Sequence, residues 1–112
     1  VTVQRQKKEH GVTALDFSKS LLDRNIHAPT NYFPLLVPEC LLIEPTETES
    51  KETLDEFVAV MGELYALAAA NPQAMKDAPL TMPVRRLDDV KAAKELDVAY
   101  VPAAHGAKRE AA

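Results

Sequence analysis

The clearest pattern in the chain is an apolar repeat with helical spacing between Leu54 and Ala68. Its members are Leu54, Phe57, Val58, Met61, Leu64, Tyr65 and Ala68. Intervals of three and four residues place these side chains on one face of a helix. The pattern therefore predicts the longest helix of the protein, with this face in the core.

An acidic segment, Glu44–Phe57, leads into that helix. Thr46 and Glu49 have the spacing of a capping box, in which the hydroxyl and the carboxylate each accept a backbone N–H bond. Thr48 and Ser50 are rival N-caps. Carboxylates near a helix N-terminus are stabilised by the helix dipole, so a solvated acidic helix start explains this composition without any further role.

A second helix is predicted to begin after Thr13 and to run to about Arg24. Asp16 is at the capping-box position, and the hydrophobic residue before the cap can pack against Phe17 one turn later. Asn25 suits the left-handed residue that follows a helix.

Three short apolar runs predict the strands of a small three-stranded antiparallel sheet: Val1–Gln4, Tyr32–Val37 and Cys40–Ile43. Arg5–His10 is interpreted as a polar connection. Pro34 places its run at an edge or a bulge. The fold class is thus α+β, with helices packed on one face of the sheet. Two runs are apolar on successive residues, which indicates a second covered face and hence a missing partner.

The remainder is less regular. Asn71 and Pro72 start a short helix that ends at Ala78-Pro79, Thr81–Leu87 is predicted to be extended, and another short helix runs from Asp88 to about Lys94. From Asp97 no periodicity is present. We expect a domain at residues 1–96 and a flexible tail at residues 97–112.

Composition narrows the function. The 112 residues fit one domain, and the net charge of −4 without a basic stripe argues against nucleic-acid binding. No apolar run approaches the ~20 residues of a membrane span, so a soluble protein is expected. Cys40 lies in an apolar run that indicates a buried, inert thiol.

Candidate chemistry is sparse. His10, His27 and His105 lie in three separate connections, which does not favour a metal site. Three glycines provide no phosphate-binding loop. The pair Arg85-Arg86 suits a solvated pair or an interdomain salt bridge, with a carboxylate or phosphate ligand as the alternative.

Several stretches together resemble a known enzyme family. They are Gly11–Asp23, His27–Thr30, Tyr32–Leu35, Val37–Glu39, Leu41–Phe57 and Pro83–Asp88. Over about residues 1 to 95 the chain resembles the C-terminal end of glycine dehydrogenase (decarboxylating), the P-protein of the glycine cleavage system. Val37-Pro-Glu before the last strand resembles subunit 2 of the two-subunit prokaryotic form.

The resemblance implies the small C-terminal domain of a fold-type-I enzyme that depends on pyridoxal phosphate, and a prokaryotic, cytoplasmic location. It implies as partners the large cofactor-binding domain of the same polypeptide, P-protein subunit 1 and the lipoyl H-protein, which receives the aminomethyl group. The catalytic and cofactor-binding residues of the family belong to the large domain. None is expected in this chain, and no cofactor or metal is expected bound to it.

The resemblance leaves a supporting role for these residues. Pro45–Ser50 and Pro83–Arg86 are expected to lie toward the large domain and its active-site entrance. The candidates for that rim or interface are Thr46, Glu47, Glu49, Arg85 and His27. An independent α+β protein-interaction module and the small domain of an aminotransferase-like enzyme are the alternative functions.

Overall fold

The structure, a computed structural model, describes residues 1–98 of the chain. In chain order the elements are α1 (Gln4–His10), α2 (Ala14–Leu22), β1 (Thr30–Asn31), β2 (Leu41–Leu42), α3 (Lys51–Ala70), α4 (Pro72–Asp77) and α5 (Asp89–Lys94). The α+β class is confirmed. Most of the predicted tail, at residues 97–112, lies outside the described residues, so the domain boundary stays a prediction. No helix in the described range is long and apolar enough to cross a membrane.

The sheet has two strands, and the prediction of three is wrong. β1 and β2 are antiparallel, with Thr30 opposite Leu42. Val1 makes two backbone hydrogen bonds with Leu41 of β2, from Leu41 N to Val1 O at 2.8 Å and from Val1 N to Leu41 O at 3.0 Å, and Thr2 forms an isolated bridge with Cys40. The predicted N-terminal strand does not extend further along β2 because helix α1 already begins at Gln4.

The polar run Arg5–His10 is helical, so its interpretation as a connection is also wrong. Arg5 and Glu9 form an ion pair one turn apart, with Nε and Oε1 separated by 3.0 Å. Gly11 ends the helix in the left-handed conformation, at φ 69°. No residue of α1 is buried. The sequence of α1 therefore contains no apolar repeat that could have indicated a helix.

The apolar run Tyr32–Val37 is an exposed loop and not a strand. Tyr32 has φ 58°, a left-handed conformation that turns the chain out of β1. Pro34 lacks the N–H that a ladder requires. Leu35 and Leu36 are 87% and 94% exposed. The apolar side chains of this run are therefore exposed on the surface of the domain. They do not belong to a strand that is covered on both faces.

The structure confirms the start of α2. The Thr13 hydroxyl accepts a bond from Asp16 N at 3.2 Å, and the Asp16 carboxylate accepts one from Thr13 N at 2.7 Å. The helix ends at Leu22, two residues before the expected Arg24, and Asn25 is left-handed at φ 57° as predicted.

The long helix α3 begins later than the capping box at Thr46 and Glu49 predicts. Ser50, one of the rival caps, is the N-cap, and its hydroxyl accepts a bond from Thr53 N at 3.2 Å. Thr46 instead lies in the preceding turn, where its carbonyl accepts a bond from Glu49 N at 3.1 Å.

Only the C-terminal half of the apolar face of α3 has fully buried residues, and Phe57 of the N-terminal half is half-buried against the core. Met61, Leu64 and Ala68 are buried, whereas Leu54 is 38% and Val58 69% exposed. The remaining core is built by the N-terminal segment, α2, β2 and α4, with Val3, Val12, Ala14, Phe17, Leu21, Leu41 and Met75. The N-terminal half of this face is thus only partly covered, and Val58 is its most exposed member.

The two short helices near the C-terminus are confirmed. The Asn71 side chain caps α4, with Pro72 at its first position, and accepts a bond from Ala74 N at 3.2 Å. Asp88 caps α5 and accepts a bond from Lys91 N at 2.8 Å. Between them, Thr81–Leu87 consists of bends and irregular backbone and forms no strand.

A buried carboxylate connects three of these elements. Glu39 is 7% exposed, and its carboxylate accepts hydrogen bonds from Ala14 N at 2.8 Å and from the Lys7 ammonium. Its own carbonyl accepts a bond from Val3 N at 3.0 Å. The hydrogen bond and the charge of Glu39 raise the pKa of Lys7 above its ordinary value.

The cap of α3 can be tested by substitution. Ser50→Ala removes the bond to Thr53 N, so we expect the free energy of unfolding to fall by about 1 kcal/mol. Thr46→Ala is the matched control and should change it by less than about 0.5 kcal/mol, because Thr46 caps nothing. Urea denaturation followed by circular dichroism measures both. A larger loss for Thr46→Ala than for Ser50→Ala would contradict the assignment.

Candidate functional site

A groove of about 860 Å³ lies at the N-terminal end of α3. One wall is the connection from α2 to β1, residues 24–30. The opposite wall is the first two turns of α3, and the end of β2 with the residues after it forms the third side. The groove exists because these turns of α3 extend past the core. We call it the α3 groove.

Two of the predicted candidates, His27 and Glu49, line the α3 groove from opposite walls. Thr46 and Glu47 are in the exposed turn just before α3 and are not among its lining residues. The Thr46 hydroxyl is 2.8 Å from that of Thr48. Arg85 is elsewhere, with its guanidinium donating to the Asp77 carbonyl at 2.6 Å. The structure therefore joins two of the five candidates in one site.

The groove is apolar inside and acidic around it. Ile43, Leu54, Phe57 and Val58 contribute apolar surface, while Glu44, Glu49 and Glu56 contribute carboxylates. Within residues 1–98 its lining contains one arginine, Arg24, and no lysine, and Arg24 already donates to the Ser20 carbonyl at 3.1 Å. Glu56 and Arg24 were not among the sequence candidates, since nothing local indicates which carboxylates of an acidic helix face a groove.

The second arginine of the pair Arg85-Arg86 has a structural role inside the domain. Arg86 Nη2 is 2.8 Å from Asp16 Oδ1, and Asp16 is only 5% exposed. The same guanidinium donates to the Ala78 and Met75 carbonyls at 2.6 and 3.0 Å. Arg86 therefore binds a carboxylate, which was the alternative to a solvated pair or an interdomain salt bridge. That carboxylate is Asp16 of the same domain.

Asp23 fixes the irregular segment that follows α4. Its carboxylate accepts bonds from Leu80 N at 2.7 Å, from Thr81 N at 2.8 Å and from the Thr81 hydroxyl at 2.8 Å. Burial acts to raise the pKa of Asp23, but these bonds outweigh it and lower the pKa. Sequence reasoning missed this anchor because its partners lie far along the chain.

The α3 groove does not fit pyridoxal phosphate. Its described lining contains no lysine, and its three carboxylates would repel a phosphate group. Among residues 1–98 no group of three or more His, Cys, Asp or Glu side chains is placed to hold a metal ion. Cys40 is 4% exposed, which confirms the predicted burial.

A second surface is the apolar loop Tyr32–Val37. Besides Leu35 and Leu36, Phe33 is 56% exposed and Tyr32 40%. Contiguous exposed apolar side chains of this kind mark contact surfaces in soluble proteins. The loop and the groove together define a small α+β domain with apolar surface available for a partner.

The part of the chain that the structure describes is a small α+β domain, and comparisons with known proteins give its family. The sequence profile described as "Glycine dehydrogenase, C-terminal domain" matches residues 1–80. Because the match covers more than half of the chain, the chain belongs to this family.

Individual relatives agree. A protein of Thiobacillus denitrificans, described as "Probable glycine dehydrogenase (decarboxylating) subunit 2", is 65% identical over 104 residues, which cover 93% of this chain and 22% of the relative. Proteins with the same description from Legionella pneumophila (strain Corby) and Nitrosococcus oceani are 63% and 66% identical, over 89% and 85% of this chain and 21% and 20% of their own lengths. The chain spans about a fifth of the length of the curated relatives it matches.

The Asp23 anchor predicts a specific pH dependence. Because its pKa is lowered from 3.8, Asp23 stabilises the fold above that pH, and the contribution is lost as the pH falls through the lowered value. Asp23→Asn should therefore lower the free energy of unfolding at pH 7, and its difference from the native protein should shrink below pH 3.8.

Urea denaturation at pH 7 and at acidic pH measures this difference. Thr81→Val is the matched control, since it removes the hydroxyl donor and keeps both backbone bonds to Asp23. It should cost less than Asp23→Asn at pH 7. A difference between Asp23→Asn and the native protein that stays constant with pH would disprove the role of the charge.

Proposed function

We propose that this chain is the C-terminal part of a glycine dehydrogenase (decarboxylating) subunit 2. The supporting observation is the 65% identity to such a subunit over 93% of the chain. The enzyme, as the sequence resemblance implies, decarboxylates glycine with pyridoxal phosphate and passes the aminomethyl group to lipoyl H-protein. The bacterial relatives support a place in the prokaryotic cytoplasm.

The domain acts in this proposal without holding the cofactor. Pyridoxal phosphate supplies the electron sink for the decarboxylation and belongs to the large domain of the same subunit. The residues of this chain pack against that domain and limit access to its active site. The acidic groove supports this division, because it is unsuited to phosphate.

The apolar loop Tyr32–Val37 is the surface we assign to the large domain. Leu36 is 94% exposed, and covering such a side chain is worth about 1.5–3 kcal/mol. In a domain that forms a fifth of a longer subunit, the remaining polypeptide is available to cover it. P-protein subunit 1 and the lipoyl H-protein are the proposed partners of the complete enzyme.

The rim candidates keep their proposed position toward the active-site entrance. Thr46, Glu47 and Glu49 lie at or beside the α3 groove, and His27 faces them across it. Arg85 would form a separate part of the rim, because it is fixed at the end of α4. Residues 45–50 and residues 83–86, which we both expect to lie toward the active-site entrance, would thus form two separate contact regions.

The exposed apolar loop would also suit an independent protein-interaction module, and the fold class would also suit the small domain of an aminotransferase-like enzyme. The family match favours glycine dehydrogenase over both, since it identifies the particular family and not only the fold. A covered loop inside one enzyme explains the same exposed side chains.

The proposal is tested in the complete enzyme. Thr46→Lys, Glu47→Lys, Glu49→Lys and Arg85→Glu should each lower glycine-dependent turnover with H-protein. We expect a loss of about tenfold, because about 1.4 kcal/mol of unfavourable charge at the rim corresponds to a factor of ten. The controls are Lys8→Glu and Asp89→Lys, which reverse exposed charges on α1 and α5 outside the proposed rim.

Unchanged turnover in all four rim variants would disprove the rim assignment. The isolated chain gives a second result: added pyridoxal phosphate should keep the absorbance of the free cofactor. A stoichiometric adduct that borohydride reduces would show that this chain holds the cofactor itself, against the proposal.

A further inference from the structure

The uncovered part of α3 is continuous with a face that is buried further along the same helix. Leu54 and Val58 belong to the same three- and four-residue repeat that, further along the helix, puts Met61, Leu64 and Ala68 in the core. Val58 is nevertheless 69% exposed and lines the α3 groove. The helix therefore presents apolar surface at the groove that nothing in residues 1–98 covers.

The charges around this apolar surface indicate which kind of polypeptide segment could cover it. Glu44, Glu49 and Glu56 line the groove, and none of them has an ion pair or a side-chain hydrogen bond within the described residues. The nearby cation Arg24 is shared with Glu63, its Nε lying 3.8 Å from Glu63 Oε2. An occupant with positive charges beside apolar side chains would match this surface, and an anionic one would be repelled.

The same charges argue against a second copy of this chain. Two copies joined through their α3 grooves would bring six carboxylates together, since each groove contributes Glu44, Glu49 and Glu56. Like charges at an interface cost several kcal/mol, by a rough estimate for juxtaposed pairs. The occupant is thus a different polypeptide segment.

We infer that the α3 groove is a docking site for a cationic amphipathic segment of the same subunit, from the part outside these 112 residues. The inference rests on the proposed function in one respect, that the chain is a domain of a longer subunit, about a fifth of whose length it represents. Leu54, Phe57 and Val58 pack against the apolar side of the segment. Glu44, Glu49 and Glu56 pair with its lysines.

The test is zero-length cross-linking of the full-length subunit with a water-soluble carbodiimide, which joins a carboxylate to a lysine only in direct contact. Peptide mass spectrometry should find Glu44, Glu49 or Glu56 joined to lysines outside this domain, within one subunit. Glu56→Lys reverses a charge in the groove and should lower the yield at Glu44 and Glu49 by about tenfold.

Glu52→Lys is the matched control, because it makes the same charge change on the same helix at an exposed position that does not line the groove. It should leave the cross-links unchanged. Val58→Ser should lower their yield through lost apolar contact, without the charge change. Glu52 and Val58 are both exposed. Circular dichroism checks that each variant keeps its helix content.

Three results would overturn the inference: cross-links to a second copy of the subunit, cross-links only to a separate polypeptide, or no cross-links from the groove carboxylates. Cross-linking is carried out without glycine or H-protein. Thr46, Glu47 and Arg85 do not line the groove, so loss of turnover in those three variants and loss of groove cross-links are independent outcomes, and one can fail while the other holds.

Discussion

The arrangement of the N-terminal half depends on the buried carboxylate of Glu39. It accepts bonds from the first N–H of α2, at Ala14, and from the Lys7 ammonium of α1, while its carbonyl holds Val3. A hydrogen bond to a charged group is worth about 1.5–3 kcal/mol, and an unpaired buried charge would cost more. No residue of α1 is buried, and the bond from Lys7 to the Glu39 carboxylate and the bond from Val3 N to the Glu39 carbonyl join this helix to the segment before β2.

Two further carboxylates extend the same principle to the C-terminal half. Asp16 closes the cap of α2 and binds Arg86, and Asp23 holds the backbone of Leu80 and Thr81. Acidic groups on α2 and at its C-terminal end thus fix a segment with little regular structure. These bonds hold the core together on the side of α2 and of the segment after α4. The first turns of α3 extend past this core and form one wall of the groove. The groove is a consequence of where the core stops.

Elements with complete local signals were predicted well. The cap at Thr13 and the left-handed Asn25 follow from short-range chemistry, and so do the two short helices near the C-terminus. The helix α1 and the loop Tyr32–Val37 were misassigned, because apolar periodicity reports burial and neither segment is buried. His27 and Glu49, which the resemblance places at the rim, line the groove, and their role at the rim stays a prediction. The positions of Glu56 and of the Asp23 anchor depend on the fold and could not be predicted.

The sequence by itself determined the family, the α+β class and the helices that carry their own caps, because those properties depend on residues close together in the chain. It also indicated surplus apolar surface. Tertiary structure alone decided where that surface lies: on a loop at residues 32–37 and on the exposed turns of α3 around Val58. Long-range contacts set this division, since a helical face is apolar along its whole length and only packing decides which half becomes core.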